Sequence, residues 1–311
     1  MKILLTGGSG MVGKNILEHH EALKYEIFAP SSRELNLLDR DAVRSHFKSI
    51  SPDMVIHAAG RVGGIQANIA NPVDFLMQNL DMGLNVISAA ASVGVPNLLN
   101  FGSSCMYPRD AKNPLREDVL LKGELEPTNE GYALAKIVSA KLCEYISVED
   151  ASKNKNYKTI IPCNLYGRYD KYDPRHSHLI PSVIRKLDEA KINGEKTVDI
   201  WGDGMARREF MCADDLADFV FFAIGRFEEM PHTLNVGLGR DYSINDYYEA
   251  VAQVIGFYGK FEHDLSKPVG MKQKLVDVKQ LNDFGWHYKT QLSDGISRAY
   301  NFYKEGRKNG I

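Results

Sequence analysis

The chain has 311 residues, 44% of them apolar and 25% charged, with a formal net charge of −2. That length supports a full-sized core, in one large domain or two smaller ones, and the near-neutral balance excludes nucleic acid as a main partner. The longest apolar run, Phe219 to Ile224, is too short to span a bilayer, and Met1 to Thr6 lacks the apolar length of a signal peptide, so a cytoplasmic protein with no membrane partner is expected.

Residues 2–6 form a short β-like run that delivers the backbone into Gly7-Gly8-Ser9-Gly10-Met11-Val12-Gly13, and residues 14–23 read as a helix. Strand, glycine turn and helix is the context in which this Gly-x-x-Gly-x-x-Gly spacing reads as a dinucleotide fingerprint. Gly7 permits the tight turn, Gly10 lets the backbone approach a pyrophosphate at the positive end of the helix, and Gly13 lets the helix pack on the strand. A second strand, Glu26 to Ala29, is followed by Pro30-Ser31-Ser32-Arg33. Two hydroxyls with a guanidinium suit a ribose 2′-phosphate, so NADPH is expected over NADH, with Glu34 close enough to serve a plain ribose instead. Asp39 either meets the adenine side of the cofactor or caps a helix from Arg40 to Lys48.

Met54 to His57 is a third strand running into Ala58, Ala59 and Gly60, where small side chains let a dinucleotide lie over the strand end. Helical periodicity runs from Pro72 to Val93, and a fourth strand ends at Phe101, two residues before Ser103. From about Asn129 a helix is expected, and on it Tyr132 and Lys136, four apart, share a face. An ammonium beside a phenol is expected to favour phenolate and lower its pKa, making Tyr132 a proton donor while Ser103 hydrogen-bonds the carbonyl that receives the proton. On its own Tyr-x-x-x-Lys more often marks a half-buried tyrosine and a solvated lysine; the glycine turn gives it meaning.

Alternating strands and helices predict an α/β fold with a doubly wound parallel sheet of Rossmann type. Past a fifth strand, Tyr157 to Ile161, the alternation weakens. Residues 168–178 are a polar loop, helices are expected over 180–190, 214–224 and 243–256, and short strands over 198–201, 209–211 and 233–236. The chain is therefore divided into a dinucleotide-binding domain over 1–165, with segments at about 197–225 returning to it, and a smaller interleaved substrate domain over 166–311. The four cysteines (Cys105, Cys143, Cys163, Cys212) are scattered, with no Cys-x-x-Cys pair and no histidine at metal-ligand spacing, which predicts free thiols and no metal.

With these residues collected, the chain resembles the extended short-chain dehydrogenase/reductase superfamily, and within it the GDP-L-fucose synthase family. The likeness is carried by LNLLD at 35–39, HAAGRVGGI at 57–65, QNL at 78–80, GSSCMYP at 102–108, EPTNEGYALAK at 126–136, NLYG at 164–167, SHLIP at 177–181, and by Trp201-Gly202 with Arg208-Glu209-Phe210. It implies hydride transfer from NADPH to the C4 ketone of a GDP-linked 4-keto-6-deoxy sugar. Tyr132 would deliver the proton, Lys136 bind the nicotinamide ribose and Ser103 orient the ketone. The same ketone acidifies the hydrogens on C3 and C5, and Cys105 and His178 match the family's acid and base for inverting such centres. Without the resemblance, Cys105 reads as a small buried side chain and His178 as a loop residue. The resemblance also places Asn164, Leu165 and His178 beside the cofactor, with Ala58, Ala59, Met11 and Val12, and puts Asn164, Lys186, Trp201, Arg208 and Lys274 at the nucleotide end of the substrate.

Several positions depart from the family's pattern: Ser9 stands where it has Arg, Gly131 where it has Pro, Lys186 where it has Arg, and Val269 where it has Asp. Two other readings stay open. One is a C4 reductase for a related GDP-linked sugar, such as a heptose, without epimerisation. The other is a non-catalytic NADPH sensor, against which the Ser103, Tyr132, Lys136 set speaks. Helices 72–93 and 129–148 carry more apolar residues than one core face requires, and related proteins dimerise through such a pair, so a homodimer is expected.

Overall fold

The structure is a computed structural model and describes residues 1–149, 155–174, 177–267 and 271–308. In the amino-terminal half β1 (Lys2–Thr6) leads to α1 (Met11–Glu18), β2 (Glu26–Phe28) to α2 (Arg40–Ile50), and β3 (Met54–His57) to α3 (Ile65–Ala70) and α4 (Pro72–Val93). β4 (Asn97–Phe101) then leads to α5 (Glu130–Glu149) and β5 (Asn156–Pro162). Successive strand residues go to opposite faces. Ile3, Leu5, Met54, Ile56 and Leu99 enter one apolar cluster, whereas Leu4, Val55, Leu98 and Tyr157 enter another with Val43 and Phe47 of α2 and Val86 and Ile87 of α4. A sheet buried on both faces needs nearly continuous apolar strands, and these have them. α1 begins at Met11 rather than at residue 14, because Gly10 is its N-cap and the glycine turn is itself the entry to the helix.

Past β5 the elements shorten: β6 (Asn164–Tyr166), α6 (Leu179–Asn193), β7 (Thr197–Trp201), β8 (Arg207–Arg208), β9 (Phe210–Cys212), α7 (Ala213–Gly225) and β10 (Thr233–Val236). They are followed by β11 (Tyr242–Ser243), α8 (Ile244–Ile255), β12 (Lys260–Asp264), β13 (Gln273–Lys274), α9 (Lys279–Phe284) and α10 (Leu292–Lys308). β10 pairs with β5, completing a six-stranded parallel sheet in the order β10-β5-β4-β3-β1-β2, and Leu216, Phe219 and Val220 of α7 pack in its core. Buried Lys158 fastens this return, donating from Nζ to the carbonyl oxygens of Phe227, Glu228 and Met230.

Within residues 197–225, α7 packs on the sheet, whereas β7 lies apart from it. β7 pairs with β12, and its Val198 and Ile200 lie in a separate core with Ile180, Ile184, Tyr247, Val251 and Ile296. Its alternate residues are exposed, a pattern that suits a strand covered on one side and not a central strand covered on both. Glu209 ties the two parts together: buried, it accepts backbone N–H bonds from Gly239 (2.8 Å), Leu238 and Val276 (2.9 Å).

Candidate active site

Strand order reverses between β1 and β3, and in doubly wound sheets a ligand crevice opens at the carboxyl ends of the strands at such a point. A cleft of about 550 Å³ lies there. Gly7 holds a φ of +79°, and a Cβ on it would lie 2.7 Å from the Ala59 nitrogen; a Cβ on Gly13 would lie 2.2 Å from the Gly7 oxygen. Both positions therefore require glycine. The first turn of α1 receives no side-chain cap, and Met11, Val12 and Gly13 line the cleft, so the N–H-rich end of the helix is left for an anion. With Ala58 and Ala59 on the facing wall, these residues fit a dinucleotide.

At the far end of the cleft the loop after β2 presents only part of itself. Ser32 lines it, but Ser31 and Arg33 do not. The Ser31 N–H donates to the Glu34 carboxylate at 2.7 Å, which lowers the pKa of Glu34 and keeps it within its own turn. Asp39 lies outside the lining and caps α2, accepting from the Asp41 and Ala42 N–H groups at 3.1 and 3.0 Å, so of its two readings the structure has the cap. Leu37 and Leu38 line the cleft instead, a contact not expected from sequence.

Ser103 stands two residues past β4, and its hydroxyl accepts from the Cys105 N–H at 3.2 Å, turning the chain so that Cys105 enters the cleft. Tyr132, in the first turn of α5, lines the cleft with Ser103, whose hydroxyl favours the ionised phenol. Lys136, one turn on and 7% exposed, donates from Nζ to the Phe101 carbonyl at 2.8 Å. Burial brings its pKa down to about 8. The expectation that this ammonium lowers the phenol's pKa is not met. Enclosure by the cleft walls raises the pKa of Tyr132, Cys105 raises it further, and only the Ser103 hydrogen bond opposes them. The phenol keeps its proton and is a donor, not a phenolate. Opposite it, Asn79 clamps the loop after β3 through the Arg61 N–H and C=O, at 2.9 and 3.0 Å, and Arg61 reaches Asp74 at 3.2 Å. No spacing in the sequence announces this clamp, although Arg61 stands in HAAGRVGGI and Asn79 in QNL.

Cys105 is half-buried and takes two donors at its sulfur, Asn129 Nδ2 at 3.2 Å and Lys274 Nζ at 3.4 Å. His178, the N-cap of α6, opens to the cleft; the walls that crowd it, and to a lesser degree Lys171, lower its pKa. Asn164 and Leu165 line the cleft on the β6 side. Lys186, Trp201 and Arg208 lie outside the lining. Lys186 is paired with Asp199 at 2.8 Å, and Trp201 is 51% exposed with Lys267 over its ring. Arg208 donates to the Arg207 carbonyl, and burial lowers its pKa. Lys274 is held beside Arg208 by the β13–β8 pairing, yet its ammonium turns to Cys105. Ser9 lines the cleft where a guanidinium is usual, and Val269 lies outside the described residues. The other three cysteines are buried free thiols, and no group of potential metal ligands occurs among the described residues.

Comparison with known proteins gives concordant likenesses. Residues 3–237 match the NAD dependent epimerase/dehydratase family. The chain is 55% identical over 309 residues to a GDP-L-colitose synthase of Yersinia pseudotuberculosis, covering 99% of this chain and 100% of that one. It is 48% identical over 307 residues to a GDP-L-fucose synthase of Azorhizobium caulinodans, covering 99% and 97%. Among solved structures, a GDP-mannoheptose C4 reductase from Campylobacter jejuni with NADP bound superposes with a TM-score of 0.87 at 32% identity, covering 97% and 98%.

Proposed function

Since the chain belongs to the NAD dependent epimerase/dehydratase family, we propose that it reduces the C4 ketone of a GDP-linked 4-keto-6-deoxy sugar with NADPH and inverts the neighbouring C3 and C5 centres. The observation that carries this reading is one cleft holding the glycine turn, the Ser103–Tyr132–Lys136 set and, within the same walls, Cys105 and His178. NADPH supplies the hydride when bound. Gly7, Gly10 and Gly13 would admit its pyrophosphate, and Lys136, beside Gly60, its nicotinamide ribose.

The protein's own groups move protons. Tyr132, protonated, and Ser103 donate to the ketone oxygen, drawing charge onto it. That polarisation acidifies the carbon hydrogens on either side, where Cys105 and His178 stand as proton acceptor and donor. After inversion Tyr132 gives its proton to the oxygen as hydride reaches C4, while Lys136, held by the Phe101 carbonyl, keeps the nicotinamide ribose in place. Lys186, Trp201 and Arg208 would take the GDP moiety, and Arg208 offers the planar fork that suits a pyrophosphate.

A reading without epimerisation is favoured by the likeness to the heptose C4 reductase. Incubating the protein and NADPH with GDP- and dTDP-linked 4-keto sugars in deuterated water separates the two. NADPH loss with deuterium at C3 or C5 supports both activities. NADPH loss with neither label leaves the reductase alone, and no NADPH loss with any sugar removes the reading altogether.

The subunit belongs in a homodimer joined through α4 and α5, where Val73, Met77, Val138 and Tyr145 are exposed. Four free thiols and a reduced nicotinamide suit the reducing cytoplasm.

A further inference from the structure

The geometry points to Asn129 as a positioning residue for Cys105: with Lys274 it forms a two-donor cradle for the sulfur, and its remaining carboxamide oxygen takes a hydroxyl of the sugar. This rests on the epimerase reading above, to which it adds a residue and a subsite.

Asn129 closes the short turn Pro127–Asn129 that precedes α5, its N–H bonded to the Glu126 carbonyl at 3.1 Å, so the helix that carries Tyr132 also fixes this amide. Lys274 reaches the sulfur from β13, 169 residues away in sequence. Two donors from independent elements, one of them a cation, converge on a single sulfur, an arrangement that holds negative charge there. The Asn129 Oδ1 is buried without a hydrogen-bond partner among the described residues, while Asn129 lines the cleft. A buried acceptor of this kind is completed by a donor, and the donors on a sugar ring are its hydroxyls.

The sulfur's charge has a defined use. As thiolate, Cys105 takes the hydrogen of a carbon beside the C4 ketone as a proton. The C–H electron pair becomes the C=C bond of an enolate, and the carbonyl π pair moves to the oxygen, where Tyr132 and Ser103 donate. A proton returned from His178 on the opposite face restores the ketone with the centre inverted, leaving Cys105 protonated and His178 one proton poorer.

Two readouts test the cradle, with circular dichroism and melting curves verifying that each variant is folded. The first needs no substrate: iodoacetamide alkylation of Cys105 near pH 7, followed by peptide mass, with the three buried cysteines as internal controls. Asn129→Ala and Lys274→Met should each slow it by about tenfold, the scale of one lost hydrogen bond to a charged group. Unchanged alkylation in both overturns the cradle. The second is exchange of the substrate's carbon-bound hydrogens in deuterated water, which should slow by a similar factor. Slowed alkylation in the variants with no exchange by the unsubstituted protein on any 4-keto sugar keeps the cradle and removes the epimerase reading instead. Asn129→Asp keeps an oxygen and loses the donor, so it should hold the KM for the sugar where Asn129→Ala raises it severalfold; equal KM values remove the hydroxyl contact.

Discussion

Replacing Gly13 by alanine probes the turn on which cofactor binding depends. The added methyl would lie 2.2 Å from the Gly7 oxygen, 2.5 Å from the Gly8 Cα and 2.8 Å from the Gly7 carbonyl carbon, where ordinary contact starts at 3.4 Å. All three neighbours are backbone, and none can swing aside. The turn or α1 must therefore move by about 1 Å, the shortfall at the closest contact. Overpacking of this kind costs about 1–3 kcal/mol, which at this chain length is a fall in Tm of several degrees. Because the displaced segment is the one offered to the pyrophosphate, NADPH affinity should fall by at least about tenfold, in keeping with the sensitivity of a built site to misplacements of about 1 Å. Gly94→Ala is the control: its φ is +81° and nothing lies within 4 Å of the added carbon. It should cost about 1–2 kcal/mol of backbone strain and leave NADPH titration unchanged. Fluorescence titration and thermal melting of the two variants read both effects. A Gly13→Ala protein that binds NADPH like the parent, with the same Tm, would refute the reasoning.

Tyr132→Phe should leave NADPH titration intact and lower kcat/KM by about 10²–10⁴, the range for losing a positioned acid; unchanged turnover would remove the assigned donor. Lys136, brought by burial to about 8 from an ordinary 10.5, loses its charge as pH rises through 8, so kcat/KM should fall above that pH. Between pH 8 and 10.5 the unfolded chain holds a proton at this lysine that the folded chain has released, so its contribution to stability rises with pH through that window. Lys136→Met should abolish that rise in Tm relative to the parent. Glu209→Gln turns an amide donor toward backbone N–H groups that need an acceptor, and should cost about 1–3 kcal/mol in denaturant unfolding. Val138→Glu on the exposed face of α5 should shift the proposed homodimer to monomer in sedimentation analysis, and a parent protein that sediments as a monomer would remove that proposal.

What could be read from sequence was local. A five-residue strand, three glycines and a helix follow one another within the first 18 residues, and Tyr132 and Lys136 are separated by one helical turn, so each pattern carries its own geometry. The carboxyl-terminal part is built otherwise. β8, β11 and β13 have two residues each and are defined only by pairing with one another, so no periodicity announces them. The contact of Lys274 with Cys105 spans 169 residues and depends on that pairing. Asn129 stands in EPTNEGYALAK, but nothing in that stretch announces its contact with Cys105; its part follows from the turn in which it stands. The Asp39 carboxylate illustrates a real ambiguity, since a residue after an apolar run and before a helix suits a ligand or a cap, and only its distances to Asp41 and Ala42 decide. The phenol's pKa went the other way because spacing gives proximity to a charge but says nothing of burial, which here is the larger effect.

Transfer of deuterium from NADPH labelled on its reducing carbon puts the whole arrangement to a direct trial. With a GDP-linked 4-keto-6-deoxy sugar, the account expects product carrying the label at C4, formed about 10²–10⁴ times more slowly by Tyr132→Phe. Label absent from C4 while the parent protein consumes the sugar would contradict it.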